Sequence, residues 1–144
     1  MVEADVPAAY ELMVAAFADL DRRLHEPPQP PPRDPGPGYV RLRRVLTSDP
    51  AGCWACEHGD GQLTGAGLAI MREGVWGLSL LVVRPDLQSA GFGSELLRRT
   101  LAYGDGARGG NILAAWLELR PGGAVMLRGD ADPFHPCLPS GAYL

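Results

Sequence analysis

Apolar residues recur at Val6, Tyr10, Met13, Phe17, Leu20 and Leu24, at spacings of four, three, four, three and four. That repeat is one face of an amphipathic helix, which must stop by Pro27-Pro28. Asp5 stands where an N-cap belongs, and Pro7 is tolerated in the first turn. Pro27 to Gly38 holds seven prolines in twelve residues, a composition that predicts an extended surface loop. From Tyr39 to Leu46 the pattern is helical again, with Leu42, Val45 and Leu46 on one side and Arg41, Arg43 and Arg44 on the other. Cys53 to Glu57 and Leu63 to Arg72 read as strands around a hairpin turn, His58-Gly59-Asp60-Gly61. Gly74 to Gly77 then turns the chain into the apolar, β-branched run Leu78–Val83, closed by Arg84-Pro85. After a glycine-bearing segment, Ser94 to Tyr103 returns to helical spacing, and Asn111 to Ala115 predicts a last strand.

Two helices, a three-strand antiparallel meander, a helix and a further strand make a mixed-sheet α/β (α+β) fold. There are no internal repeats, and 144 residues suit one domain with one substantial core. A hydrophobic content of 46% with 21% charged residues is that of an ordinary globular protein. The net charge of −4 and a pI of about 5.3 argue against a nucleic-acid footprint. No apolar run reaches the roughly 20 residues that span a bilayer, and no secretory leader opens the chain. The expectation is a cytoplasmic protein with neither nucleic acid nor membrane as a partner.

Cys53-Trp54-Ala55-Cys56 spells C-x-x-C, but three cysteines make no disulfide framework and no second pair follows. On a strand, residues three apart point to opposite faces, so the two thiols share neither a metal nor a redox bridge. No metal is expected. His135 and Cys137 lie among Pro133, Pro136 and Pro139, and they read as tail rather than as a dyad.

Gln88-Ser89-Ala90-Gly91-Phe92-Gly93 carries the candidate chemistry, because a strand precedes it and a helix follows it. Free N–H groups of the first helical turn point into such a loop and favour an anion. Gly91 and Gly93 let a phosphate approach the backbone where a Cβ would obstruct it. The P-loop pattern needs a lysine after its last glycine, and Gly93-Ser94 has none. The dinucleotide fingerprint needs three glycines and an acidic residue about twenty positions on, where this chain has Ile112 and Leu113. A nucleotide-binding domain is therefore disfavoured.

The pattern Gln-x-x-Gly-x-Gly after Val82-Val83-Arg84-Pro85 resembles the GNAT family of acyl-CoA-dependent N-acyltransferases. The resemblance covers roughly residues 3 to 115 and is strongest between Trp76 and Ala115. It implies a GNAT domain over 1–115, with an acyl-CoA-binding core at 76–115 and a sheet whose cradle-bearing strand splays from the next, parallel one. It implies acetyl-CoA as cosubstrate and acetyl transfer to an amine of a small molecule or a protein. Carried over, Leu81, Val82 and Val83 lie along the pantetheine, and Gln88, Ser89, Ala90, Gly91, Phe92, Gly93 and Ser94 face the diphosphate. A backbone N–H near Leu81 polarises the thioester carbonyl. Glu73, before a turn of the meander, is the candidate general base, against a plain reading as a solvated turn residue. Glu57 and Asp86 are weaker candidates for that role, and the run Arg41 to Arg44 could meet the adenosine 3′-phosphate.

The resemblance ends near residue 116. The family's next helix carries an aromatic residue that meets the CoA sulfur, but Pro121-Gly122-Gly123 would break a helix here. Neither Tyr143 nor Tyr103 aligns with it, so no general acid is carried over. Met1 and Val2 also leave no room for the family's first strand. Residues 116–144 thus read as an atypical C-terminal segment. A sheet edge left open by it predicts a homo-oligomer with residues 111–128 near the contact. It also keeps alive an alternative, a catalytically inactive acyl-CoA-binding or oligomerising domain.

Overall fold

The computed structural model describes residues 1–27, 30, 33–57, 59, 61–112 and 126–127. A 3-10 turn, Glu3–Asp5, leads into helix α1, Val6–Arg23. Asp5 does not cap that helix with its side chain; its carboxylate accepts from the Val2 N–H at 2.6 Å instead. The apolar stripe is buried only at the start of α1, through Val6, Ala9, Tyr10 and Leu12. Further along, Phe17 and Leu24 are 43% and 51% exposed.

Helix α2, Gly36–Ser48, begins three residues before the expected Tyr39. Pro37 falls in its first turn, where the missing N–H has no intrahelical partner to lose, and Asp34 Oδ1 accepts from the Gly36 N–H at 2.8 Å. Leu42 and Val45 face the core, while Arg41, Arg43 and Arg44 are exposed, as their spacing implied.

Strands β1 (Cys53–Glu57), β2 (Leu63–Arg72), β3 (Val75–Val83), β4 (Gly109–Ile112) and β5 (Met126–Leu127) lie in that order in one sheet. The first three form the antiparallel meander; β4 runs parallel to β3 and β5 antiparallel to β4. This is the mixed α/β sheet expected. The turn before β3 is tighter than Gly74–Gly77. Arg72 pairs with Val75, and Glu73 and Gly74 form the two-residue link with φ of 48° and 77°. Positive φ at both positions is the hairpin turn whose twist matches the strands. Val75, Trp76 and Gly77 belong to the strand.

A bulge interrupts the pairing of β2 with β3. Leu68 pairs with Leu80 and Ala69 with Leu78, leaving Ser79 as the extra residue. The insertion changes the face presented by alternate residues of β3. Trp76 packs beneath helix α3 (Phe92–Tyr103), its indole N–H donating to the Thr100 carbonyl at 2.7 Å. Leu80 and Val82, of the same parity, instead join the core under α1 and α2. On the α3 side, Gly65 admits the helix, since a Cβ there would stand 2.8 Å from Leu96 Cδ1. Cys53 lies in the α1/α2 core and Cys56 on the α3 side, both as free thiols.

Met126 and Leu127 pair with Ile112 and Asn111. The edge expected to be open is therefore covered at those two residues by the same chain. The remainder of the segment 116–144, residues 113–115 of the expected last strand, and His58, Asp60, His135, Cys137 and Tyr143 lie outside the described residues. No helix among the described residues is long and apolar enough to cross a membrane.

Candidate functional site

Beyond Leu78, β3 loses its described partner on the β4 side, because the parallel pairing runs from Val75↔Gly109 to Leu78↔Ile112. Its other edge stays paired with β2 as far as Val83↔Gly65. Among the described residues, the edge at 79–83 is thus free to accept a further extended chain. The side chains of this stretch leave the edge for the two faces of the sheet. Val82 is buried in the α1/α2 core, and Leu81 Cδ1 lies near Gly67 beneath α3. Only the backbone of Leu81, Val82 and Val83 is available along that edge.

After β3 comes a 3-10 turn, Pro85–Leu87. Gln88 folds back, its side-chain amide donating to the Val83 carbonyl at 3.4 Å, while Ser89 takes φ of 70°. Gly91, with φ of 91°, is the N-cap residue of α3 and makes no side-chain cap. The Glu95 N–H is the one that closes the first turn, onto the Gly91 carbonyl at 3.1 Å. The N–H groups of Phe92, Gly93 and Ser94 precede it and have no carbonyl within the helix. A Cβ added at Gly91 would meet nothing within 4 Å, and one at Gly93 would meet only Val83 Cγ2 at 3.5 Å. The space above both glycines is open. It fits an anion resting on backbone donors.

The charge near this helix end is balanced toward positive. Glu95 accepts from Arg98 at 2.7 and 2.8 Å and from Arg99 at 2.7 Å. The Arg98 and Arg99 hydrogen bonds hold its carboxyl down to about 2. One carboxylate set against two guanidinium groups leaves a net positive charge within the first two turns.

A cleft of about 290 Å³ adjoins the free edge. Residues Leu78 to Val83 make one wall, the second half of α1 another, and Gln88, Leu97 and Ile112 complete it. Exposed Phe17 and half-buried Leu20 of the α1 stripe line it. Sequence reasoning missed this wall. The signal was present as an apolar stripe running through five positions of α1 and on to Leu24, longer than the part buried against the sheet.

A model of the acetyltransferase (GNAT) family matches residues 15–122 of the chain. The chain belongs to the GNAT family. No curated protein matches it. Among solved structures, a GNAT acetyltransferase from Brucella melitensis, in complex with acetyl-CoA, is 23% identical with a TM-score of 0.56. That match covers 82% of this chain and 75% of the other. An acetyltransferase from Pyrococcus horikoshii gives a TM-score of 0.63 at 19% identity, over 81% of this chain but only 37% of the other. A Mycobacterium tuberculosis protein in complex with CoA gives 0.58 at 18% identity, over 81% and 63%. At these identities the likeness is one of fold, and it is the GNAT fold.

Glu73 lies at the opposite end of β3 from this GNAT cradle. Val75, where the strand begins, is eight steps of about 3.3 Å, about 26 Å, from Val83, and Glu73 lies beyond Val75 in the turn. It is exposed, and its carbonyl accepts from Arg108 Nε at 3.0 Å. The position suits the hairpin turn rather than proton transfer. Glu73→Gln is therefore expected to leave any transfer rate unchanged across about pH 6 to 9. A depressed rate with CoA affinity retained would restore it as the base. Asp86 is paired with Arg84 at 2.8 Å, and Arg43 reaches Glu3 and the Tyr39 ring.

Proposed function

We propose that the protein transfers an acyl group from acyl-CoA to the amine of a small molecule or of a protein. The observation that carries this reading is the β3 edge at 79–83, free among the described residues, leading into the open, glycine-lined start of α3. In it, the segment Gln88 to Ser94 holds the diphosphate through the amides left over once those of Gln88 and Ala90 have bonded to the Pro85 and Leu87 carbonyls, and the backbone of Leu81 to Val83 pairs with the pantetheine arm. Bound CoA supplies the activated carbonyl: the amine nitrogen forms the new C–N bond as the C–S bond breaks, and the thiolate takes up the proton that the nitrogen gives away. The bulge at Ser79 supports an N–H beside Leu81 turned toward the carbonyl oxygen, where it would stabilise developing negative charge.

One observation favours a second reading, acyl-CoA binding without transfer. Among the described residues lining the cleft, Asp19 is the only carboxylate, and it already accepts from Arg22 at 2.8 Å and is ion-paired with Arg23 at 2.6 Å. Thiol release from acetyl-CoA, measured against a panel of amines, separates the two. Amine-dependent release is expected. Saturable CoA binding with no release from any amine would establish the binding domain instead. A homo-oligomer loses its original ground at Asn111 and Ile112, which are paired within the chain; light scattering decides between 15.3 kDa and a multiple of it.

A further inference from the structure

Helix α1 presents Ala16, Phe17 and Leu20 across the cleft from Leu78, Leu80 and Val82. None of these six side chains carries a donor or acceptor. A pantetheine arm needs hydrogen bonds for its amides and finds them on the β3 edge, so the α1 wall, apolar apart from the Asp19–Arg23 ion pair, is left for hydrocarbon. The cleft, of about 290 Å³, is bounded by the β3 edge on one side and extends from it to the α1 wall.

From these observations we infer that the cleft between α1 and β3 takes the hydrocarbon tail of an acyl group longer than acetyl, carried on CoA. The inference rests on the acyl-CoA reading above and names its acyl class. The alternative occupant is an apolar amine. An ammonium group would seek a free carboxylate, and Asp19 is held by two arginines. That favours the acyl chain.

Calorimetric binding of acetyl-, butyryl- and hexanoyl-CoA to the full chain tests this without knowledge of the acceptor. Each fully buried methylene is worth about fourfold in affinity, so hexanoyl-CoA is expected to bind at least about tenfold tighter than acetyl-CoA. Leu20→Trp, which fills the cleft, should collapse that ratio toward one. Phe17→Ser, at a position already exposed, should reduce it as well and serves if the tryptophan variant fails to fold. Equal affinity for all three acyl-CoAs would overturn the acyl inference while leaving the family reading of the cradle intact. Failure of all three, and of CoA itself, to bind would overturn the cradle reading. Binding of hexylamine to the acetyl-CoA-saturated protein, abolished by Leu20→Trp and accompanied by indifference to acyl length, would assign the cleft to an amine and overturn the proposal.

Discussion

Gly93→Val is expected to weaken CoA binding about a hundredfold while the protein still unfolds cooperatively near the wild-type temperature. The valine side chain would occupy the open space above the first turn of α3 and hold a phosphate away from the amides. Loss of two charge-assisted hydrogen bonds at about 1.5 kcal/mol each amounts to about that factor. The fold should tolerate the change, because a Cβ at this position meets only Val83 Cγ2, at an ordinary 3.5 Å. Gly93→Ala should give a smaller loss in the same direction. Gly91 is a poorer probe. Its φ of 91° is left-handed, so any side chain there strains the backbone whether or not a ligand is bound. Wild-type CoA affinity in Gly93→Val, measured by calorimetry, would remove the diphosphate from this helix end.

The strands of the meander and the cradle helix were legible because their residues obey local rules. The turn signal His58-Gly59-Asp60-Gly61 between two apolar stretches fixes β1 and β2 to their end residues, and Gly91 is required by a conformation that its neighbours in the chain imply. The turn at Glu73-Gly74 was misplaced because glutamate is an uncommon occupant of positive φ. A reader of the sequence moves the turn to the next glycines, Gly74 to Gly77. Ser79 gave no local signal at all. A bulge is a property of two strands in register, and it becomes visible only when Leu68 and Ala69 are set against Leu80 and Leu78. The cleft was hidden for a related reason. Phe17 and Leu20 continue a regular helical stripe, and whether a stripe meets a core or a cavity depends on how far the sheet extends beneath it.

Asp49 illustrates a third kind of blindness, since nothing in Ser48-Asp49-Pro50 announces a buried carboxylate. The side chain is 2% exposed. Its Oδ1 accepts from the Met71 N–H, Arg72 and the Tyr103 hydroxyl, each at 2.9 Å, and its Oδ2 from Ser48 Oγ at 2.5 Å and Arg72 at 2.8 Å. The carboxylate thus ties the end of α2 to β2 and to the last turn of α3. Asp49→Ala is expected to cost about 2–3 kcal/mol in denaturant unfolding, because it strands a backbone N–H and a hydroxyl. The cost stays below the upper range for buried ion pairs because Arg72 is 40% exposed and keeps water as a partner.

The same residue sets how stability depends on pH. Burial pushes the Asp49 carboxyl up, but hydrogen bonds from Ser48, Met71, Arg72 and Tyr103 outweigh it and hold the group below its ordinary 3.8. The unfolded chain therefore takes up that proton first. Its contribution is complete above about pH 4 and is lost as pH falls through the lower native value. On the alkaline side, burial and then Asp49 push the Cys53 thiol up to about 11 from 9.0, and burial and the Asp49 bond raise Tyr103 above 10.0. Those contributions are present below the unfolded values and are lost as pH rises from about 9 through the native ones. Asp49→Ala should therefore flatten the acid limb of the stability profile and weaken the alkaline one. Tyr103→Phe should remove the tyrosine part of the alkaline limb and, by taking one donor from Asp49, shrink the acid limb in part. A wild-type profile with no loss of stability below about pH 4, or an alanine variant that keeps the same acid limb, would show that other carboxylates govern acid unfolding.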